Sequence, residues 1–531
     1  MKSGEGYNRR GFVLTMFWGS MMLPFLQFCS KKAKSFLLKI TGTNHILGHR
    51  LWAKDFPKVS EVIRTEVLIV GSGISGLSAA RELSMHAKTN FLICEMESFI
   101  GGNSSNGENK YSKYPRGAHY LPLPNKDNQE LIDFLKEAKI YLGDDEYEDP
   151  ILDDYQLVFP QDERLFFKNA WQNDIIPQRG LDENSKQEFD RFFKMMNDFK
   201  LKKDDFGKFW FTIPSQNVSQ NEETKKLDNL KFKTWLDEND FKSQELLWYL
   251  DYACKDDYGL GIEYVSAWAG INYFAGRKHD WAPKKSDQVM TWPEGNARLS
   301  KHLAVHSENK ILKQHLVFDV IETEQNVEVL VFDNVNKKTI KIVSDKLIMA
   351  TPQFVNNFFF KNRKIKNFTY VPWLLATLTL DKDFGGGEEL AWDNVIYGGE
   401  GLGYIYDQHQ NISQNIGHKV ITYYRSFSTD DSNKARKQLF KMKEEDLKEL
   451  VLKDFRIAHP LIDDFIIEIE FNKIGHAMIA PTPGKIFGKD SQIAKEDINR
   501  KIFFAHSDLS GISIFEEAFY QGIYIARKIL S

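Results

Sequence analysis

Residues 67–83, VLIVGSGISGLSAAREL, constrain this 531-residue chain more than any other stretch. Val67-Leu68-Ile69-Val70 is short, apolar and β-branched and is closed off at once by glycine, the pattern of a parallel strand buried on both faces. Gly71, Gly73 and Gly76 then spell G-x-G-x-x-G. Between a strand and a helix, the first glycine makes the tight turn and the second lets a pyrophosphate approach the backbone. The third lets the following helix lie close to the strand. Leu77 to about Met85 has helical spacing and aims its N-terminal amides at the phosphates, with Ile74 and Ser75 of the turn as further contacts. A second strand, FLICE, ends in Glu95, near the ~20-residue spacing at which an acid meets a ribose hydroxyl. The expected fold class is α/β, with a Rossmann-like dinucleotide-binding domain.

A chain of this length exceeds what one hydrophobic core usually supports, so a second domain is expected. The formal net charge of −4 argues against nucleic acid as a partner. Cys29, Cys94 and Cys254 have neither metal-ligand nor CxxC spacing and cannot build a disulfide framework. No metal site is expected.

The first thirty residues read as a separate signal. Arg9-Arg10 precede an apolar run from Gly11 to Phe28, followed by Lys31-Lys32. Paired arginines before Gly-Phe resemble the bacterial twin-arginine export signal, which implies passage of a folded protein to the periplasm. The run is nearly long enough to span a bilayer at about 18–20 residues, so a retained anchor and membrane association through this segment stay open. Residues 31–61 read as an arm leading into the first strand.

Six residues after Glu95 comes Gly101-Gly102, where backbone must again approach a charged ligand. Acid, short spacer and Gly-Gly resemble the opening of the flavin-containing amine oxidase superfamily, which includes monoamine and polyamine oxidases, protoporphyrinogen oxidase and phytoene desaturases. Two more segments resemble it in the right order. One is LVFDVIETEQNVEVLVFDNVNKKTIKIVSDKLIMATPQF; the other is the closing FFAHSDLSGISIFEEAFYQGIYIARKIL. The resemblance implies a discontinuous, glutathione-reductase-type FAD domain (62–120, 290–352 and 476–531) and a mixed α+β substrate domain (121–289 and 353–475). It implies that Val317 touches the adenine, that Asp508 bonds the ribityl chain, and that Ile514 and Phe515 open a helix facing the flavin pyrimidine. The YPRGAHYLP segment resembles the loop passing the ring, with Gly117, Ala118 and His119 beside it and Tyr120 toward substrate; TWPEGNARL brings Gly295 and Asn296 near the ring. No cysteine lies near the tail, so the FAD is expected to be non-covalent.

The departures matter as much. Asn103 stands where an arginine commonly follows Gly-Gly, and His506 and Glu517 replace glycines of the tail motif. Many amine-oxidising relatives carry a lysine on the strand after Ala350-Thr351-Pro352; the corresponding VPWLLATLTLDKDF has none before Lys382. Catalytic candidates are His119 and, in GHAMIAPTPGK, His476. Trp268, Tyr273, Trp373, Trp392, Tyr404, Tyr423 and Tyr424 are candidates to cage an amine. The sequence therefore points to an FAD-dependent oxidoreductase moving a hydride equivalent from a small molecule, an amine first, to flavin N5. An apolar polyene or tetrapyrrole is the second substrate class, and a flavin-binding protein without turnover the alternative outside enzymes. A long, purely apolar tunnel would favour the second.

Overall fold

The computed structural model describes residues 36–531, apart from 87–88, 159–161, 279, 282–287, 364, 383, 385–389 and 412–416. Two large sheets organise it. The first begins with β2 (Val59–Val70), whose last four residues are buried, followed by the glycine turn, α2 (Ile74–His86) and β3 (Phe91–Glu95). β3 pairs in parallel with β2 and with the short β8 (Ile311–Lys313). On its other side β2 pairs with β11 (Lys338–Met349), which also carries the last strand, β17 (Ile502–Phe504). Five parallel strands from three stretches of chain thus share one sheet, and an antiparallel meander of β9 (His315–Glu322) and β10 (Val327–Asp333) extends it. The closing helix α12 (Phe515–Leu530) lies against α2: a Cβ at Gly522 would run into the Ser75 carbonyl oxygen, so glycine is what lets the two helices touch.

The second sheet has eight strands. In spatial order they are β1 (Leu37–Gly42), β16 (Ile466–Ala480), β12 (Thr369–Leu380), β15 (Lys419–Ser426), β14 (Tyr404–Tyr406), β13 (Asp393–Ile396), β5 (Glu163–Phe167) and β6 (Ala170–Asn173). From β16 to β6 the neighbours are antiparallel except β13 and β5, which run parallel. β12 is buried along nearly all its length, as TYVPWLLATLTL requires. A helical layer packs on this sheet through a core rich in phenylalanine and tryptophan. Its main members are α3 (Glu183–Leu201), α5 (Phe232–Glu238), α6 (Gln244–Tyr258) and α7 (Ala267–Ala275).

Three sequence readings change. The 31–61 segment is not a plain arm: it holds β1, α1 (His45–Ala53) and the start of β2. The expected boundary before His476 falls inside β16, which stays paired with β12 as far as Ala480. The exported, possibly membrane-anchored localisation is withdrawn. Among the described residues no helix is long and apolar enough to cross a membrane, and residues 1–30, on which that expectation rested, lie outside them.

Candidate functional site

At the carboxyl ends of β2 and β3 the glycines take three different roles. Gly71 has φ +102°, which side-chain-bearing residues rarely adopt, and its amide donates to the Cys94 carbonyl at 2.9 Å. A Cβ on Gly73 would meet nothing within 4 Å, so that face is open to a ligand. A Cβ on Gly76 would run into the Gly71 carbonyl oxygen, so glycine there sets the close approach of α2 to β2. The second pair lies alongside: Gly73 and Gly101 form a parallel bridge, and the Gly101 amide donates to the Ser72 carbonyl at 2.8 Å. A Cβ on Gly102 would lie 3.4 Å from the Gly73 Cα. An open backbone cradle over the first turn of α2, Ile74 and Ser75 included, is a fit for a dinucleotide pyrophosphate.

Glu95 braces this cradle from the end of β3. One carboxylate oxygen accepts from the Ser72 amide (2.8 Å) and hydroxyl (2.7 Å), the other from the Glu97 amide (2.8 Å). Val317 is buried in β9, beside a bulge. Asn103, in place of the usual arginine, donates through Nδ2 to the Ala477 carbonyl of β16 at 2.5 Å, tying the glycine loop to the second sheet. Its own carbonyl accepts from the Ala118 amide at 2.9 Å, and a Cβ on Gly117 would collide with it. The Gly117–His119 loop therefore lies directly on the Gly-Gly loop. Asn296 completes the group, donating through its amide to Ala118 (3.0 Å) and through Nδ2 to the Tyr120 carbonyl (2.8 Å). Ile514 precedes α12 and Phe515 opens it; the Ser75 hydroxyl donates to the Ala518 carbonyl at 2.8 Å.

Asp508 is not the free carboxylate the tail motif suggested. It accepts from the Gln353 amide (2.9 Å) and from the Tyr370 hydroxyl, and His506 Nδ1 lies 3.0 Å from its other oxygen. Although burial opposes its charge, His506, Tyr370 and Gln353 together hold its carboxyl below the ordinary range. A ribityl chain would meet this assembly rather than an unengaged acid. Glu517, where the motif has glycine, reaches the other way: the Ser215 amide and hydroxyl donate to it at 2.6 and 3.0 Å, and burial raises its carboxyl to about 7.

The two histidine candidates are not brought together. His119 stands among Tyr424 (ring centroids 4.6 Å), Tyr120 (4.9 Å) and Trp392 (5.9 Å). His476 stacks on Phe354 at 4.0 Å, beside Tyr370. Burial lowers both imidazoles to about 4, so each is neutral at pH 7. Of the cage candidates, Trp392, Tyr424 and Tyr273 join the His119 region. Tyr423, on the opposite face of β15 from Tyr424, bonds Asp454, and Tyr404 bonds His459. Trp268 is wholly buried core, and Trp373 is buried beside Gly259. Trp292 is buried and donates to Gln156 at 2.9 Å. β12 carries no lysine; buried Lys485 instead holds the Ser491 hydroxyl (2.7 Å) and the Asp508 carbonyl (3.0 Å).

The largest feature sequence reasoning missed is a set of carboxylates beyond His119. The Tyr120 hydroxyl donates to Asp256 at 3.2 Å, and the Tyr252 hydroxyl to Asp393 at 3.4 Å. Asp393 sits directly opposite Glu163 in the parallel pairing of β13 and β5. Asp256, Glu163 and Asp393 lie deep among core aromatics yet keep partial solvent access. Burial raises Asp256 to about 6, Asp257 to about 7, Glu163 to about 7 and Asp393 well above its usual range; repulsion from neighbouring acids adds to each, from Asp174 and Asp162 in the case of Glu163. The one arginine among them, Arg277, is already engaged by Glu516 at 2.9 Å and faces Asp257. A signal existed: Tyr249, Tyr252 and Asp256 follow i, i+3, i+7 spacing, which puts a carboxylate on the aromatic face of α6.

Comparison with known proteins agrees with this geometry. Residues 69–138 match the model of an NAD(P)-binding Rossmann-like domain. An L-amino acid dehydrogenase of Synechocystis sp. (strain ATCC 27184 / PCC 6803 / Kazusa) is 24% identical over 275 residues, 50% of this chain. The match spans only about half, 52%, of that relative's length. Among solved structures, wild-type putrescine oxidase bound to putrescine superposes with TM-score 0.63 at 15% identity, over 88% of this chain and 99% of that one. Cyclohexylamine oxidase from Brevibacterium oxydans IH-35A gives 0.62 at 14% (88% and 98%). A CLA-producing fatty acid isomerase from P. acnes gives 0.63 at 13% (88% and 99%), so the fold serves more than one chemistry. The chain has the fold of the flavin-dependent amine oxidases: a discontinuous Rossmann-like dinucleotide-binding domain joined to a separate α+β domain.

Proposed function

We propose that this protein is an FAD-dependent oxidoreductase that takes a hydride equivalent from an amine carrying no carboxylate. Residues 62–120, 290–352 and the tail beyond Ala480 form its cofactor side. Gly71, Gly73, Ile74, Ser75, Gly76, Gly101 and Gly102 hold the pyrophosphate, and Glu95 and Val317 the adenosine. Asn103, Gly117, Ala118, His119, Ile514 and Phe515 surround the ring, and Asp508 with Tyr370 closes the ribityl side. When bound there, FAD supplies the acceptor for the hydride.

The observation that carries the substrate class is the carboxylate set of Asp256, Glu163 and Asp393 among Tyr120, Tyr252, Tyr273 and Trp392. Two acids directly opposite each other on a sheet face repel when charged, and burial among aromatics holds them toward the neutral form unless a cation joins them. A bound ammonium relieves that repulsion and draws the carboxyls into their charged form. The tyrosine and tryptophan rings add cation–π attraction. His119, being neutral, does not repel the cation. Arg277, paired with Glu516, is a poor partner for a substrate carboxylate, which argues for a simple amine over an amino acid. The same charges disfavour an apolar polyene.

The test is anaerobic flavin bleaching by a panel of putrescine, simple monoamines, amino acids and unsaturated fatty acids. Amines lacking a carboxylate should bleach the flavin fastest. Bleaching by amino acids or fatty acids alone would overturn the substrate assignment. A yellow protein that no amine reduces would overturn the enzyme reading in favour of a flavin-binding protein.

A further inference from the structure

One outer face of the molecule combines exposed apolar side chains with positive charge. It is built by α1, by α9 (Gln353–Phe359) and by α10 (Ser432–Lys441). α1 turns Leu47 and Leu51 inward onto Leu316 and Phe332. Its outward side is nevertheless not polar: Ile46 is 75% exposed and Trp52 67%. The neighbouring helices continue the surface, with Phe354 and Phe440 each 36% exposed. The three helices are in contact through rings, His45 with Phe440 at 5.5 Å and Trp52 with Phe358 at 5.9 Å, so the exposed aromatics belong to one surface.

None of the three helices contains an acidic residue, whereas α10 alone carries Lys434, Arg436, Lys437 and Lys441. Asp55 is engaged by Arg50 at 3.1 Å, and Asp431, the N-cap of α10, accepts from the Lys434 amide at 2.9 Å; Asp430 accepts from the Thr429 hydroxyl, and the exposed Glu444, Glu445 and Asp446 open the next helix, beyond Lys441. This concentration of positive charge belongs to a chain whose formal net charge is −4.

We propose that this face docks on an anionic lipid surface. Exposed tryptophan and isoleucine beside unpaired lysines suit the headgroup boundary, where rings enter the acyl edge and ammonium groups meet phosphates. A second copy of the chain is disfavoured, because a two-fold contact would set the lysines of α10 against their own copies. Nucleic acid would use the lysines but leave the apolar side chains unaccounted for. Docking of this kind is adsorption by a folded surface; it needs no helix that crosses the bilayer and names no compartment. It goes beyond the amine reading, and its readout is independent of turnover.

The experiment is co-sedimentation of the full chain with vesicles of phosphatidylcholine alone and of phosphatidylcholine mixed with phosphatidylserine, at low and high salt. The protein should bind the mixed vesicles in preference, and salt should weaken binding. Each lysine at an anionic surface strengthens binding about fivefold, so Lys434→Glu with Lys437→Glu should weaken it at least about twentyfold. Ile46→Ser with Trp52→Ser should weaken it at least about tenfold. Thermal melting of each variant, expected to match the unmodified chain, separates lost docking from lost folding. Equal binding to both vesicle types, no binding, or binding indifferent to both double substitutions would overturn the proposal. Sedimentation as a dimer that Trp52→Ser dissociates would assign the face to a second copy, and binding to RNA but not to vesicles would assign it to nucleic acid; either refutes the lipid.

Discussion

Replacing Asp256 by asparagine should make the protein more stable and a worse amine oxidase at once. In the folded chain burial raises this carboxyl from 3.8 to about 6, with Glu163 adding repulsion. Below pH 3.8 the group is neutral in both folded and unfolded chains and has no effect. Between 3.8 and 6 the folded state keeps a proton that the unfolded chain has released, so stability falls as pH rises. Above 6 the full cost is present. The interval corresponds to ~3 kcal/mol at ~1.36 kcal/mol per pH unit, which partial solvent access reduces to about 1–2 kcal/mol. Asparagine keeps an acceptor for the Tyr120 hydroxyl and removes the charge, so the variant should melt about 1–3 °C higher at pH 7.5 and unchanged near pH 3.5. Against a cationic amine the same change removes one carboxylate of the set. A loss of about 2 kcal/mol, roughly thirtyfold in kcat/KM, is expected with the remaining acids in place. In the unmodified protein, kcat/KM should rise from pH 5 toward 7.5 as Asp256 (about 6), Asp257 (about 7) and Glu163 (about 7) ionise. Differential scanning fluorimetry at the two pH values, with stopped-flow flavin bleaching, reads both halves. A variant that melts lower at pH 7.5 with unchanged amine kinetics would show that Asp256 is a structural acid and that the carboxylate set does not receive a cation.

Glu95→Ala should weaken FAD affinity at least about tenfold, since charged hydrogen bonds are worth about 1.5–3 kcal/mol each; titration of FAD into the apo variant measures it, and affinity equal to the unmodified chain would remove Glu95 from the site. Its bonds to Ser72 and Glu97 also predict a lower melting temperature for the apo variant. Gly76→Ala should abolish FAD retention, because the methyl group meets the Gly71 carbonyl oxygen and pushes α2 from β2; a yellow, soluble Gly76→Ala protein would contradict the close-packing argument. Heat denaturation should release FAD rather than FMN into the supernatant. Among the described cysteines Cys94 and Cys254 are buried, and burial holds the Cys94 thiol up at about 12; flavin retained in the precipitate would refute the non-covalent assignment.

The cofactor half was legible because its physics is local. Gly71, Gly73 and Gly76 each need glycine for a different steric reason within six consecutive residues, and the structure shows the turn, the open face and the close helix in that order. The strand expected in VPWLLATLTLDKDF is likewise present, as β12 of the second sheet. Ring candidates were legible only as types. Adjacent tyrosines 423 and 424 look equivalent in sequence, but the period of two along β15 sends one to Asp454 and the other toward His119. Which of the two faces the site depends on the register with β12 and β14, fixed by contacts distant in the chain.

The carboxylate set lay outside local reasoning altogether. Glu163, Asp256 and Asp393 come from a strand, a helix and another strand far apart in the chain, and each alone reads as an ordinary surface acid. Only the parallel pairing of β13 with β5 sets Asp393 opposite Glu163. The same holds for the tail departures. His506 and Glu517 looked like defects in a motif until their partners were placed. His506 supports Asp508 two residues away, but Glu517 finds Ser215 at a separation of 302 residues. A glycine at 517 would leave the Ser215 amide without this acceptor. The glutamate therefore fastens the chain entering the helical layer to the first turn of α12, beside Phe515. A residue that weakened the family resemblance in one dimension is, in three, a tie between Ser215 and the closing helix.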